Sequence, residues 1–344
     1  MTRSYKPNPI MLGVVGDSAA GKTTLTAGIA RTIGLDRVSV ICTDDYHRYD
    51  RRQRTELGIT PLQPACNYLD MLAQHLSLLR RGEPVLKPVY DHQSGTFAPP
   101  VYVEPREFII AEGLLGFSNA ALRSLFDVRI YLDPVEELRQ RWKVRRDTAK
   151  RGYAPEQVLE ELRRREPDSR EFIQPQRAHA DIVVRFEPPT ARDSIGPQDD
   201  THLDARLVLR ASLPHPDLSA VVSRAETESG RMRLSVGRDG PYLAEFLHIA
   251  GDARERDVLD LEQHIQSHLG RIGVPEPESI GIVPDGAAVH HSKPLALTQL
   301  LVAYHLLRMR HAPDGTFPRP AHDEQRVQTF GDAAAMVECL GENI

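Results

Sequence analysis

The sequence predicts an α/β protein: a doubly wound, mostly parallel sheet, followed by a smaller C-terminal α+β part with antiparallel strands. Three observations predict it. Short apolar runs alternate with helical patterns through roughly the first 185 residues, the signature of successive βαβ units. The stretch Met11 to Leu25, MLGVVGDSAAGKTTL, sets G-x-x-x-x-G-K-[ST] between an apolar run and a helical one. Beyond residue 202 the texture changes to apolar–polar alternation, as in strands with one wet face.

The first element carries the chemistry. Leu12, Val14 and Val15 read as a buried strand, and Leu25, Ile29 and Ile33 as one face of the helix that follows, ended by Gly34. Between them Gly16, Asp17, Ser18, Ala19, Ala20, Gly21, Lys22, Thr23 and Thr24 form the loop. Its glycines let backbone N–H groups curl around phosphate oxygens, at the positive end of a helix dipole. Lys22 can reach the outer phosphates and the Thr23 hydroxyl can hold Mg²⁺. The alternative, a chance Gly-rich turn, is disfavoured by the strand–loop–helix order. The loop implies a nucleoside triphosphate and leaves the acceptor open.

Next in order, 38–42 reads as a strand that ends in Thr43-Asp44-Asp45-Tyr46-His47. Ligands of parallel sheets gather at the carboxyl ends of strands. Residues 48–66, broken by Gly58, Pro61 and Pro64, read as a loop over the site, and 68–79 as a helix with Leu69, Leu72, Leu76 and Leu79 in register. KPVYDH (87–92) leads to a Gly/Pro-rich turn through Pro100. Strands are expected at 108–111, ending in Glu112-Gly113, at 128–132 and at 180–186, with charged helices over 135–150 and on to about Arg165. The expected division is 1–186, a linker at 187–202, the α+β part at 203–310 with helices over 258–269 and 295–309, and a Pro- and charge-rich tail at 311–344.

Composition narrows the class. Of 344 residues 40% are apolar and 26% charged, enough for a sizeable core. A net charge of -5 argues against general nucleic-acid binding. Cys42, Cys66 and Cys339 are too few and scattered for a disulfide framework or zinc site. No stretch approaches the ~20 apolar residues of a membrane span, and the N-terminus lacks a signal-peptide core. The expectation is a cytoplasmic protein with no nucleic-acid or membrane partner.

Several residues are candidates for the acceptor side. Phosphoryl transfer needs a carboxylate near the acceptor hydroxyl and another near the metal ion, which suits Asp44 and Glu112 respectively. Each could equally be a helix cap or solvated turn when taken alone. His47 and Arg51 suit an anionic acceptor; the basic run 143–151 could close over the triphosphate, or be merely a solvated helix face.

Taken together, GDSAAGKTT, ICTDDYHRYDR, KPVYDH, IIAEGL, WKVRRDTAKRG and RRREPDSREFIQPQ occur in one order. In these segments the chain resembles the phosphoribulokinase/uridine kinase family, in its plant and cyanobacterial branch, over nearly all of 1–186; the later part is similar more loosely. The resemblance implies a P-loop kinase fold, ATP and Mg²⁺ as cofactors, and ribulose 5-phosphate as acceptor. It implies that Asp44 is the base, that Glu112 is the acid closing the second nucleotide-binding strand, and that His47, Arg51, Tyr90, His92, Lys143, Arg164 and Arg165 contact substrate. It further implies that Arg146, Asp147 and Arg151 meet ATP and the transferring group. A homodimer is expected through the antiparallel strands. The branch's loop cysteine is Ala20 here, Cys42 lacks its partner, and 211–245 hold no cysteine, so a thiol switch and a redox-regulatory partner are not expected. A His common after Glu-Gly-Leu in the family is Leu115 here. Other pentose phosphates, a nucleoside acceptor, or a non-catalytic ATP-binding regulator stay open.

Overall fold

The structure, a computed structural model, describes residues 8–189, 202–270, 280–285 and 288–311. Its centre is β1 (Ile10–Gly16), where side chains alternate between two faces. Leu12 and Val14 pack with α1 (Lys22–Ile33), and Met11 and Val15 pack on the opposite face with α3 (Leu69–Arg80). Strands buried on both faces read as continuous apolar runs, which is why 10–16, 108–113 and 128–132 were legible.

In chain order β2 (Val38–Cys42), α2 (Arg51–Leu57), the hairpin β3 (Val85–Asp91) and β4 (Thr96–Val103), and β5 (Phe108–Gly113) surround α3. Then come α4 (Ala120–Arg123), β6 (Val128–Leu132), α5 (Glu136–Arg151), α6 (Pro155–Asp168) and β7 (Ile182–Glu187). The remainder is β8 (Asp204–Arg210), α7 (Ser219–Ser229), β9 (Met232–Asp239), β10 (Tyr242–Ile249), α8 (Glu255–Ser267), a small hairpin β11 (Ile282–Asp285) and β12 (Ala288–His291), and α9 (Lys293–His311).

One eight-stranded sheet runs β2-β5-β1-β6-β7-β8-β10-β9. The first five strands are parallel, as the sequence predicts; β8 pairs antiparallel with β7, and β10 and β9 follow, each antiparallel to its neighbour. The antiparallel strands expected after the linker therefore continue the parallel sheet. The linker at 187–202 lies mostly outside the described residues, as does the tail at 311–344. Helix α9 is apolar on nearly every side because it is core: Leu295, Leu300, Leu301 and Leu306 are buried in the same cluster as Leu25 and Ile29 of α1. No helix among the described residues is long and apolar enough to cross a membrane.

Two local expectations change. The loop at 48–66 contains α2, started by a capping box in which Asp50 accepts from Gln53 N and Gln53 reaches back to Asp50 N. The turn expected to run through Pro100 contains β4, whose Pro99 and Pro100 are tolerated because, among the described residues, β4 has a strand on one side only.

Candidate functional site

The phosphate loop leaves β1 at the carboxyl edge of the sheet. Gly16 is required there, since a Cβ would lie 2.7 Å from the Leu132 carbonyl oxygen. Ala19 has φ 66° and Gly21 φ 92°, the left-handed residues that turn the loop back toward α1. Lys22 Nζ folds over it, donating to the carbonyls of Gly16 and Asp17 at 2.8 Å each. Burial pushes the Lys22 ammonium below its usual range, while Asp44, Glu112 and Asp17 pull it back. Asp17 takes a hydrogen bond from the Ser18 N–H and another from the Ser169 hydroxyl.

Beside the loop, β5 ends in Glu112, buried against α1. Thr23 Oγ1 donates to its Oε1 at 3.1 Å and Thr26 Oγ1 to its Oε2 at 2.9 Å. Burial raises the Glu112 carboxyl, opposed by Lys22 and the two threonine hydroxyls. Cys42 is paired with Glu112 in register, so the next strand end puts Asp44 close by, on a 3₁₀ turn over Thr43–Tyr46.

The two adjacent acids have different fates. Asp45 is buried, holding Lys87 and the Tyr90 N–H, which fastens the turn to β3. Asp44 keeps a half-exposed carboxylate, with His92 Nε2 4.0 Å from its Oδ2. Burial pushes His92 below the usual imidazole range, with Asp44 opposing and Arg151 and Arg146 reinforcing. Arg51 opens α2 and donates to the His92 carbonyl, so it shares the β3–β4 turn. Tyr90 is buried: its hydroxyl donates to the Gly95 carbonyl and accepts from Arg54, while its ring meets the edges of His47 and His92.

Over the loop lies α5. Asp147 gathers three cations: Lys143 Nζ and Arg146 Nε at 2.8 Å, and Arg151 Nη1 at 3.4 Å. Although burial opposes it, these partners hold the Asp147 carboxyl down to about 2. Lys143 is lowered to about 8, chiefly by burial and then by Arg146, against the pull of Asp147. Arg146 also reaches Ser18 Oγ at 3.4 Å, and Arg139 Nη1 the Ser18 carbonyl at 3.2 Å. On α6 the two arginines diverge. Arg165 is partly buried on Glu161, its Nε has no hydrogen-bond partner among the described residues, and its charge is felt by Lys143. Arg164 is exposed and only 3.5 Å from Glu161.

A match to the family model described as phosphoribulokinase / uridine kinase runs over residues 11–191, spanning the loop, both strand-end acids and the basic helices. The chain belongs to this family. The Synechocystis sp. phosphoribulokinase is 37% identical over 179 residues, 52% of this chain and 54% of that protein. The spinach chloroplastic phosphoribulokinase is 33% identical over 294 residues, 76% of this chain and 72% of that one. The chain thus spans about half the length of the cyanobacterial relative and more of the plant one. In fold it is similar to the solved phosphoribulokinase from Rhodobacter spheroides, with a TM-score of 0.54 at 19% identity, covering 77% of this chain and 98% of that one.

Within this family member, the structure brings together Lys22, Thr23, Asp44, Glu112, His92 and the α5 cations, and leaves Arg164 on the outer surface. Leu115 sits with Leu62, Leu114 and Ile173 in an apolar cluster. Sequence reasoning missed Thr26, Arg139, Asn67, Arg54 and Ser169. Thr26 had a signal, one helical turn after Thr23. Ser169 had none, being 152 residues from Asp17 and delivered by a π turn at Ser169–Ile173, just after Pro167. The Cys42 thiol is pushed up by burial and then by Asp44 and Asp45, and the Cys66 thiol by burial, so neither is a ready nucleophile.

Proposed function

We propose that this protein transfers the terminal phosphoryl group of MgATP to the 1-hydroxyl of ribulose 5-phosphate. The observation that carries the reading is the position of Asp44. Its half-exposed carboxylate is felt by Lys22 of the phosphate loop and lies beside His92, which in turn feels the α5 cations Arg151 and Arg146. Asp44 takes the acceptor proton as the hydroxyl oxygen bonds to phosphorus. The bond to the bridging oxygen breaks and ADP leaves with that electron pair. Lys22 and the loop amides hold the triphosphate, so the protein acts mainly by positioning and electrostatics.

The residues fit Mg²⁺. Thr23 and Glu112 offer hard oxygens 3.1 Å apart, and no cluster of three His, Cys, Asp or Glu side chains among the described residues could hold a metal unaided. An ion that keeps waters and rides on nucleotide phosphates needs only such partial ligation. Thr23 and Glu112 would hold the ion, which would supply charge neutralisation to the phosphates. Arg165, Lys143, Arg151 and Arg51 favour an acceptor that is already phosphorylated over a neutral nucleoside. A homodimer through β9 completes the reading: β9 ends the sheet among the described residues, and Val236 on it is exposed. A monomer by light scattering would remove that part.

The test is ADP release from MgATP with ribulose 5-phosphate, ribose 5-phosphate, xylulose 5-phosphate, uridine or no acceptor. Turnover with ribulose 5-phosphate alone is expected, falling by about 10²–10⁴ in Asp44→Asn while ATP binding survives. Turnover with uridine alone refutes the reading, and ATP binding without turnover points to a regulator.

A further inference from the structure

We propose that Asn67 is a positioning residue that locks His47 in its Nδ1–H tautomer, so that His47 Nε2 accepts a hydrogen bond from a hydroxyl of the acceptor sugar. The inference rests on the acceptor reading above and assigns His47 a part of that acceptor other than its phosphate.

The argument is one of donors and acceptors. Asn67 Nδ2 donates to the carbonyls of Pro61 at 3.0 Å and Gln63 at 2.9 Å. Carbonyl oxygens only accept, so this end of the amide must be its nitrogen, and the orientation is fixed. The other end, Oδ1, lies 2.7 Å from His47 Nδ1. It too can only accept, so Nδ1 carries the hydrogen. The backbones are fastened at the same place. His47 and Asn67 form an antiparallel bridge, flanked by Arg48 N to the Cys66 carbonyl and Tyr68 N to the Tyr46 carbonyl, each at 2.8 Å. The ring is wedged edge-on against Tyr90 at 4.8 Å between centroids.

Charge is discouraged as well. Burial comes first in lowering the His47 imidazole, Arg54 and His92 add to it, and Asp44 and the Asn67 hydrogen bond oppose. A neutral imidazole protonated at Nδ1 has one function left, the lone pair on Nε2. Phosphate oxygens are acceptors and are repelled by a lone pair. A sugar hydroxyl is a donor and is not. His47 therefore reads the hydroxyl pattern of the acceptor, and the guanidinium and ammonium groups take its phosphate.

Selective ¹⁵N-histidine NMR on the whole protein tests this, with the His47 signals assigned by their loss in His47→Gln. In the parent, Nδ1 is expected to be protonated and Nε2 bare at about pH 8, above the ordinary imidazole range. Adding ribulose 5-phosphate is expected to move Nε2 while Nδ1 stays hydrogen-bonded. In Asn67→Asp the new carboxylate favours the imidazolium; the acceptor KM is expected to rise about tenfold while the MgATP KM holds. The parent spectra decide the matter even where that variant folds poorly. A resting Nε2–H tautomer or imidazolium overturns the lock. A bare Nε2 that does not move at saturating ribulose 5-phosphate overturns the hydroxyl contact. If calorimetry finds no ribulose 5-phosphate binding while Nδ1 is protonated, the acceptor reading falls and the lock by Asn67 is supported.

Discussion

Gly113→Ala tests how tightly Asp44, the proposed base, is held. Gly113 follows Glu112 at the end of β5, and Thr43 immediately precedes Asp44. A Cβ at Gly113 would lie 1.7 Å from Thr43 Oγ1, 2.8 Å from Thr43 Cβ and 3.3 Å from its Cγ2. Turning the Thr43 side chain can move the hydroxyl away but leaves Cβ in place. Bringing that atom from 2.8 Å to the 3.4 Å of ordinary contact needs a shift of about 0.6 Å, which the buried turn must absorb. Overpacking of this kind costs about 1–3 kcal/mol. A displacement of ~1 Å at a reacting group can cost on the order of 10²-fold in rate, so a fall of about tenfold in kcat is expected. Urea denaturation measures the first effect, and ADP release at saturating MgATP and ribulose 5-phosphate the second. The double variant Gly113→Ala/Thr43→Ala loses the hydroxyl clash but keeps the Cβ contact, so it recovers stability more than rate. A folded Gly113→Ala enzyme with kcat within about twofold of the parent would refute the coupling between β5 and Asp44.

Three further outcomes follow from the same geometry. Arg165→Met is expected to raise the acceptor KM about tenfold or more, while Arg164→Met, on the outer face of α6, leaves it unchanged; equal effects would contradict the divergence of the two side chains. Lys143 is held down to about 8, below the 10.5 of a free lysine, so the unfolded chain binds its proton more tightly. Its contribution to stability therefore rises with pH between about 8 and 10.5, while substrate affinity falls above about 8; an acceptor KM profile without that inflection, or one retained in Lys143→Met, counts against the assignment. Asp181 accepts from the Arg129 N–H, its guanidinium and the Ser212 hydroxyl in the interior. Asp181→Ala should cost about 3–5 kcal/mol in urea denaturation by leaving Arg129 unpaired, and a loss under about 1 kcal/mol would show that water reaches it.

The parts of the fold that were legible in sequence are those with a local cause. A strand buried on both faces has to be apolar throughout, and a phosphate loop has to be glycine-rich, so β1, β5, β6 and α1 declared themselves. The β3–β4 hairpin did not, because Pro99 and Pro100 suppress strand propensity and only a strand with a free edge accepts them. The site was legible where chemistry dictates residue type, at Lys22, Thr23, Asp44 and Glu112. It was illegible where the fold chooses between equivalent neighbours. Asp44 and Asp45 are identical in sequence terms, and Lys87 on β3 decides which one is buried. Arg164 and Arg165 differ only in the helix face they occupy. Asn67 is an unremarkable polar residue until the chain at 66–68 is laid beside 46–48.

The division into a kinase part and a second part marks a change in sequence texture more than a boundary in the packing. β8 lies beside β7 in one sheet, and α9 covers α1. The two parts meet tightly at Gly28, where a Cβ would lie 1.9 Å from Gln299 Nε2. That space is taken because Gln299 is engaged on both sides: its Nε2 donates to the Thr24 carbonyl at 3.1 Å and its Oε1 accepts from the Gly281 N–H at 2.8 Å. Thr24 is the residue after Thr23, in the first turn of the helix that follows the phosphate loop. A fully buried amide that lost one of these partners would leave a polar group unsatisfied, at a cost of about 1–3 kcal/mol. Helix α9 is therefore part of the packing that supports the first turn of α1, through a side chain 275 positions from Thr24.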